Sequence, residues 1–210
     1  FMTTPSNDRQ PHALVGSKAP DFTAAAVLAN GEIDEAFNLT SWLDGSYGLL
    51  FFYPLDFTFV CPSEILAHNN RVSRFAEVGT KLIGVSVDSV HTHAAWRRTP
   101  VNDGGLGEVG FPLVADLTKD IARDYGVLTD AGVALRGTFL IDQEGVVRHQ
   151  VINDLPLGRN VDEALRMIDA LQFHEEHGEV CPAGWNKGDK GMTADSNGVA
   201  SYLSEHASKL

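Results

Sequence analysis

The run Tyr47 to Tyr53, YGLLFFY, set between Gly45 and Pro54, constrains this chain more than any other segment. A strand that is apolar at every position has no face to offer water, so it belongs inside a sheet covered on both sides. Lys81 to Asp88, KLIGVSVD, repeats the pattern. Between them, Ser63 to Val78 is mostly helix-permissive, with apolar Ile65, Leu66, Val72, Phe75 and Ala76. The order predicted here is strand, helix, strand.

Further on, Thr138 to Ile141 and Val146 to Ile152 enclose Asp142-Gln143-Glu144-Gly145, whose turn chemistry predicts an antiparallel hairpin. Val161 to His177 carries Val161, Ala164, Leu165, Ile168 and Leu171 on one helical face. Asn160 can cap its start, Glu163 can complete a capping box, and Gly178 can end it. Near the beginning, Ala24 to Leu28 and Phe37 to Leu39 flank Asn30-Gly31, a dipeptide suited to a tight hairpin turn. Together these elements predict an α/β, thioredoxin-like fold: a central mixed sheet flanked by helices, extended by an N-terminal hairpin. From Glu179 the sequence becomes rich in Gly and turn residues, VCPAGWNKGDKGM. Residues 1–178 are therefore expected to form the domain and residues 179–210 a C-terminal arm.

Composition excludes several classes of function. Sixteen Lys and Arg against twenty-eight Asp and Glu give a formal charge of −12, which repels a phosphate backbone, so no nucleic-acid partner is expected. No apolar run approaches the roughly 20 residues of a membrane-spanning helix, so no membrane association is expected. The opening FMTTPSNDRQPH has no basic region followed by an apolar core and does not read as a secretory leader. Phe1 ahead of Met2 reads as a leftover of cloning.

Only two cysteines are present, Cys61 and Cys181, too few for an extracellular disulfide framework. Neither has the closely spaced Cys or His neighbour that zinc prefers. The eight histidines form no metal spacing either, and His91 and His93 in SVHTHAAWRR are expected on a solvated helix start or loop. Cys61 lies just after the first buried strand, where α/β sheets commonly bind ligands, and Pro62 suits the first turn of a following helix. Backbone N–H groups and the helix dipole at that N-terminus favour negative charge on sulfur, and the thiolate is the reactive form of a thiol. The alternative, a small buried hydrophobe, stays open on this evidence alone.

The stretch FFYPLDFTFVCPSEI narrows the choice: it resembles the peroxidatic-cysteine signature of the typical two-cysteine peroxiredoxins, with Pro54, Thr58 and Cys61 in the family's spacing. Ser63 stands where relatives often carry Thr, and both supply a hydroxyl. The resemblance implies a thiol-dependent peroxidase. It assigns Cys61 to attack on a peroxide oxygen, Pro54 to shielding the sulfur and Thr58 to hydrogen-bonding the peroxide. Arg136 in ALRGTFLID matches the family's active-site arginine, and Arg159 in DLPLGRNVDE matches a second, with Glu64 expected to orient both. A surface charge remains the alternative for each arginine.

HGEVCPAGW resembles the family's resolving-cysteine motif. This implies that Cys181 of a partner subunit forms a disulfide with the oxidised Cys61, in a homodimer and a ring of five dimers. Trp185 then anchors the arm in an apolar groove on the partner or packs locally. The likeness runs from APDF at Ala19 to Phe22 through CPAGW and includes VSVDS, PLVAD and HQVINDLPLGR. It implies hydrogen peroxide and organic hydroperoxides as substrates and a thioredoxin-like or flavoprotein disulfide reductase as electron donor. No metal and no tightly bound organic cofactor is expected, because the sulfurs carry the electrons.

A thioredoxin-like disulfide oxidoreductase would share the fold, but it normally has a CxxC pair, and Cys61 is followed by Pro62, Ser63 and Glu64. A holdase or redox-signalling ring is a further activity the family implies. Gly104-Gly105-Leu106-Gly107 matches an element tied to overoxidation sensitivity in the family, and Tyr202-Leu203 stands where sensitive relatives carry Tyr-Phe. Intermediate sensitivity is expected from that partial match. The expected location is the cytoplasm, with the peroxisome as alternative because Ser208-Lys209-Leu210 matches the peroxisomal address.

Overall fold

The computed structural model describes residues 13–210, so the opening segment read above for a leader lies outside the described residues. Strand β1 (Thr23–Val27) and β2 (Ile33–Asn38) form the opening hairpin, followed by the short helix α1 (Leu39–Leu43) and β3 (Tyr47–Phe52). Helices α2 (Cys61–Asn69) and α3 (Val72–Glu77) lead to β4 (Thr80–Ser86), α4 (Val90–Arg98), β5 (Leu113–Ala115) and α5 (Asp120–Asp124). The chain closes with β6 (Arg136–Ile141), β7 (Val147–Asn153), α6 (Val161–His177) and α7 (Ser196–His206). One seven-stranded sheet has the order β2-β1-β5-β4-β3-β6-β7. Strand β3 pairs parallel with β4 and antiparallel with β6, so the sheet is mixed as expected.

Strand β3 shows why its sequence reads as an unbroken apolar run. Leu49 and Phe51 point into one core with Ile65, Phe75, Trp96 and Ile168. Leu50 and Phe52 point into the other, with Val85, Tyr125 and Phe139. Successive side chains leave opposite faces of a strand, and here both faces are roofed by helices or loops. The end of β3 that leads into the Cys61 loop is thereby fixed from two sides.

Two expectations need correction. The helix predicted over Ser63 to Val78 is broken into α2 and α3 at Asn70 and Arg71. Arg71 leaves helical geometry (φ −116°, ψ 9°) while its guanidinium binds Asp162 at 2.5 Å and the Ala67 carbonyl at 3.1 Å. That tie to the neighbouring helix outweighs continuation of the ladder. Helix α6 has the predicted bounds and the Asn160 cap, but the capping box does not form. Glu163 instead pairs with Arg166, one turn on, at 2.7 Å.

Beyond α6, Gly178 turns the chain with φ +68°, a left-handed conformation that costs a glycine little. The arm folds back on itself through a bridge between Val180 and Met192. Trp185 is buried, its ring centroid 4.8 Å from that of Phe173, its Nε1–H donating to the Asp189 carbonyl at 3.1 Å. Of the two readings for this tryptophan, the local one applies within the chain. Among the described residues no helix is long and apolar enough to cross a membrane.

Candidate active site

Cys61 is the first residue of α2, with Pro62 in the opening turn, and its side chain is only 1% exposed. The Thr58 hydroxyl lies 3.0 Å from the Cys61 sulfur and 2.7 Å from the Leu55 carbonyl oxygen. A hydroxyl has one proton, so it serves these acceptors one at a time and can turn that proton toward a substrate oxygen. Pro54, buried at the end of β3, begins the loop that carries Thr58.

Positive charge reaches the sulfur from β6. Arg136 Nη1 stands 3.5 Å from Cys61 Sγ and donates to Glu64 Oε2 at 2.7 Å, while its Nε holds the Leu155 carbonyl at 2.7 Å. Arg159 grips the same carboxylate: its backbone N–H and Nε donate to Oε1 at 3.0 and 2.9 Å, and Nη2 to Oε2 at 2.9 Å. Its guanidinium also lies 5.1 Å from the Phe51 ring centroid, a cation–π contact. Neither arginine is a surface charge, since both side chains are about as buried as Glu64 itself.

Burial opposes the charge on both arginines. At Arg136 the contacts with Cys61 and Glu64 outweigh it, and its pKa lies above the ordinary arginine value. At Arg159 burial wins over the Glu64 contacts, and the pKa is lowered. Two guanidiniums and one carboxylate leave a single net positive charge beside the sulfur. A thiolate completes the balance, and so would an oxyanion leaving a substrate.

The structure brings Thr58, Cys61, Glu64, Arg136 and Arg159 to one place, with Pro54 at the start of the loop that carries Thr58; Cys181 is elsewhere, against α6. Both cysteines are free thiols. Cys181 Sγ lies 3.4 Å from the Ala170 carbonyl, at the edge of a cavity of about 310 Å³ lined by Leu140, Met167, Leu171 and His174 among others. Burial pushes the Cys181 pKa up, against the pull of Arg166.

His93 corrects the sequence reading. It is fully buried, not solvated, and its Nδ1 meets Asp56 Oδ2 at 2.7 Å. The signal was present in helical spacing: Val90, His93, Ala94 and Trp96 form one inward stripe of α4. His91, at the exposed start of the same helix, is placed as expected. His68 was also passed over. It is buried, stacks on Phe51 at 3.9 Å, and burial together with the nearby Arg159 lowers its pKa to about 3.

A sulfur at a helix start, an arginine–carboxylate–arginine cluster beside it and a thioredoxin-like sheet define a thiol-dependent peroxidase of the peroxiredoxin class. Comparison with known proteins agrees at the level of the family. Residues 15–150 match the AhpC/TSA family, and residues 170–205 match the C-terminal domain of 1-Cys peroxiredoxin. The chain belongs to the AhpC/TSA family. It is 61% identical over 197 residues to an alkyl hydroperoxide reductase C of Helicobacter pylori, covering 94% of this chain and all of that protein. Peroxiredoxin-2 of Macaca fascicularis is 51% identical, over 93% of this chain and 98% of its own. The crystal structure of reduced 2-Cys peroxiredoxin from Plasmodium vivax superposes with a TM-score of 0.89 at 50% identity, over 92% of this chain and all of the other. The C-terminal match bears the name of one-cysteine relatives, yet here it spans Cys181.

Proposed function

We propose that Cys61 is the peroxidatic nucleophile of this peroxidase and Cys181 its resolving thiol, acting on hydrogen peroxide and organic hydroperoxides. The observation that carries the reading is the Cys61 sulfur within reach of both the Thr58 hydroxyl and the Arg136 guanidinium. In-line attack transfers one peroxide oxygen to sulfur, and the other departs with the electrons of the O–O bond. Arg136 stabilises the thiolate and then the charge on the departing oxygen. Thr58 orients the peroxide, Pro54 shields the sulfur, and Glu64 holds Arg136 and Arg159 in place. Cys181 then converts the sulfenic acid to a disulfide, which protects it from further oxidation.

In this reading Cys181 comes from a second copy. Strand β7 is the last in the sheet order, and Val151 and Ile152 on it are partly exposed, which suits edge-to-edge pairing with another chain. A groove of about 270 Å³ between β7 and the start of α6 includes Arg159 in its wall and offers the partner arm a path toward the site. Phe59, 95% exposed, and half-exposed Phe57 suit contacts between dimers in a ring of five. A disulfide reduced at every turnover fits the cytoplasm, a reducing compartment, with thioredoxin or a flavoprotein reductase as donor.

The test is steady-state peroxide consumption with each donor in turn. Wild-type protein turns over with at least one, and Cys61→Ser with none. Retention of normal turnover in Cys61→Ser overturns the assignment.

A further inference from the structure

We propose that His93, through its hydrogen bond with Asp56, is a positioning residue for the peroxidase reaction, holding the loop that aims Thr58 at the Cys61 sulfur. The inference rests on the function proposed above and adds a residue on α4 that touches neither the sulfur nor the substrate.

The loop needs holding because of Phe57. Its φ of +54° lies in the left-handed region, unfavourable for a bulky residue and stable only where surrounding contacts over-determine it. Phe57 stands between Asp56 and Thr58, so the conformation of this one residue decides where the Thr58 hydroxyl points. Exposure of half its side chain leaves little burial to fix it from within. The restraint comes from its neighbour.

Asp56 is anchored at both ends. Its backbone N–H donates to Asp88 Oδ2 at 2.9 Å, and Ser86, the last residue of β4, holds the same oxygen at 2.7 Å. Its carboxylate accepts from the Tyr53 hydroxyl at 2.9 Å and meets His93 Nδ1 at 2.7 Å. The Asp56 and His93 side chains are both 0% exposed. The second ring nitrogen of His93 lies 3.1 Å from the Val114 carbonyl on β5. Both ring nitrogens thus have polar partners, so the buried Asp56 carboxyl is held by a hydrogen bond whose far end is fixed to the sheet. Strands β4 and β5 and helix α4 therefore converge on one loop residue, two positions before Thr58.

Trp96 provides a spectroscopic report. Its ring centroid lies 5.7 Å from that of Phe57 and 6.1 Å from that of Tyr53, so a loosened loop alters its surroundings.

The experiment uses the full-length reduced protein carrying Cys181→Ser, so that Cys61 alone reacts. Its rates with hydrogen peroxide and with iodoacetamide are measured, since alkylation needs the sulfur but no aimed peroxide. His93→Gln is expected to slow the peroxide reaction by about 10- to 100-fold, leave alkylation unchanged and shift Trp96 emission. Combined with Thr58→Val it should slow the reaction no further than Thr58→Val alone, because His93 acts through Thr58. Equal losses in both reactions, no loss in either, or losses that multiply with Thr58→Val overturn the proposal. If His93→Gln does not fold, Tyr53→Phe, which removes one hydrogen bond from Asp56, carries the same comparison with the same outcomes. A parent sulfur that reacts no faster with peroxide than with iodoacetamide defeats the proposed function instead.

Discussion

Glu64 Oε2 accepts a hydrogen bond from Arg136 Nη1 at 2.7 Å with the two side chains only 2% and 5% exposed. The carboxylate is shared with Arg159, so one negative charge keeps two buried guanidiniums in register. Removing one member of such a cluster leaves uncompensated charge away from water, which is far more harmful than losing a surface pair.

Glu64→Gln is therefore expected to lower stability by about 3 to 5 kcal/mol and the rate of Cys61 oxidation by about 100-fold. Chemical denaturation and stopped-flow oxidation of the reduced protein measure the two effects. A variant as stable and as fast as wild type would mean that backbone carbonyls suffice, that of Leu155 holding Arg136 at 2.7 Å and that of Gly137 holding Arg159 at 2.8 Å.

Cys181→Ser is expected to allow one round of Cys61 oxidation and no sustained turnover with a thioredoxin-like donor. Oxidised wild-type protein should run as a disulfide-linked dimer on non-reducing electrophoresis, and the variant as a monomer. An intrachain disulfide at monomer mass would contradict the two-subunit cycle.

His68 predicts a pH effect on stability. Its pKa is about 3 in the fold against 6.5 for a free histidine, because burial and Arg159 disfavour the charged ring. The unfolded chain therefore takes up this proton first as pH falls. Stability from the neutral ring is complete above 6.5 and is lost below it, at up to about 1.4 kcal/mol per pH unit. Replacing His68 by Phe, which keeps an aromatic ring against Phe51, should flatten the decline in melting temperature between pH 6.5 and 5. An unchanged slope assigns the decline to other groups.

Deletion of Tyr202 to Leu210 tests the role of the tail in overoxidation. Gly104-Gly105-Leu106-Gly107 is a packed turn: a Cβ on Gly105 would sit 1.9 Å from the Thr99 carbonyl oxygen, and Leu106 is 1% exposed. Helix α7 is tied to the preceding arm by Lys190 and Glu205, 3.5 Å apart, while Tyr202 stacks on His206 within the helix. If the tail restrains opening of the first turn of α2, the truncated protein should need more peroxide to accumulate Cys61 sulfinic acid. Mass spectrometry across a peroxide titration with recycling reductant reads this. Identical dose curves for full-length and truncated protein free the tail of that role.

Much of this was legible in the residues. The apolar runs located the central strands because burial on both faces leaves a simple pattern, and Asn160 and Gly178 marked α6 because caps are local chemistry. Arg136, Arg159 and Glu64 were legible through family resemblance, since three residues from separate elements share no local signal until the chain is folded. The break between α2 and α3 was hidden for the same reason: Arg71 answers to Asp162, distant in sequence. His93 was misread because two histidines near a helix start look solvated until the inward stripe of α4 is counted.

Partial burial of Cys181 has a consequence for the second half of the proposed cycle. A pKa raised by desolvation keeps this sulfur in its SH form, and the neutral thiol is a poor nucleophile toward peroxide. The oxygen that Cys61 acquires must later depart as water, which requires a proton that the sulfenic acid cannot itself supply to its own leaving hydroxide. Cys181 brings one. In the proposed cycle the arm thus delivers acid and nucleophile in a single group, and while it waits it is spared the oxidant that its partner sulfur consumes.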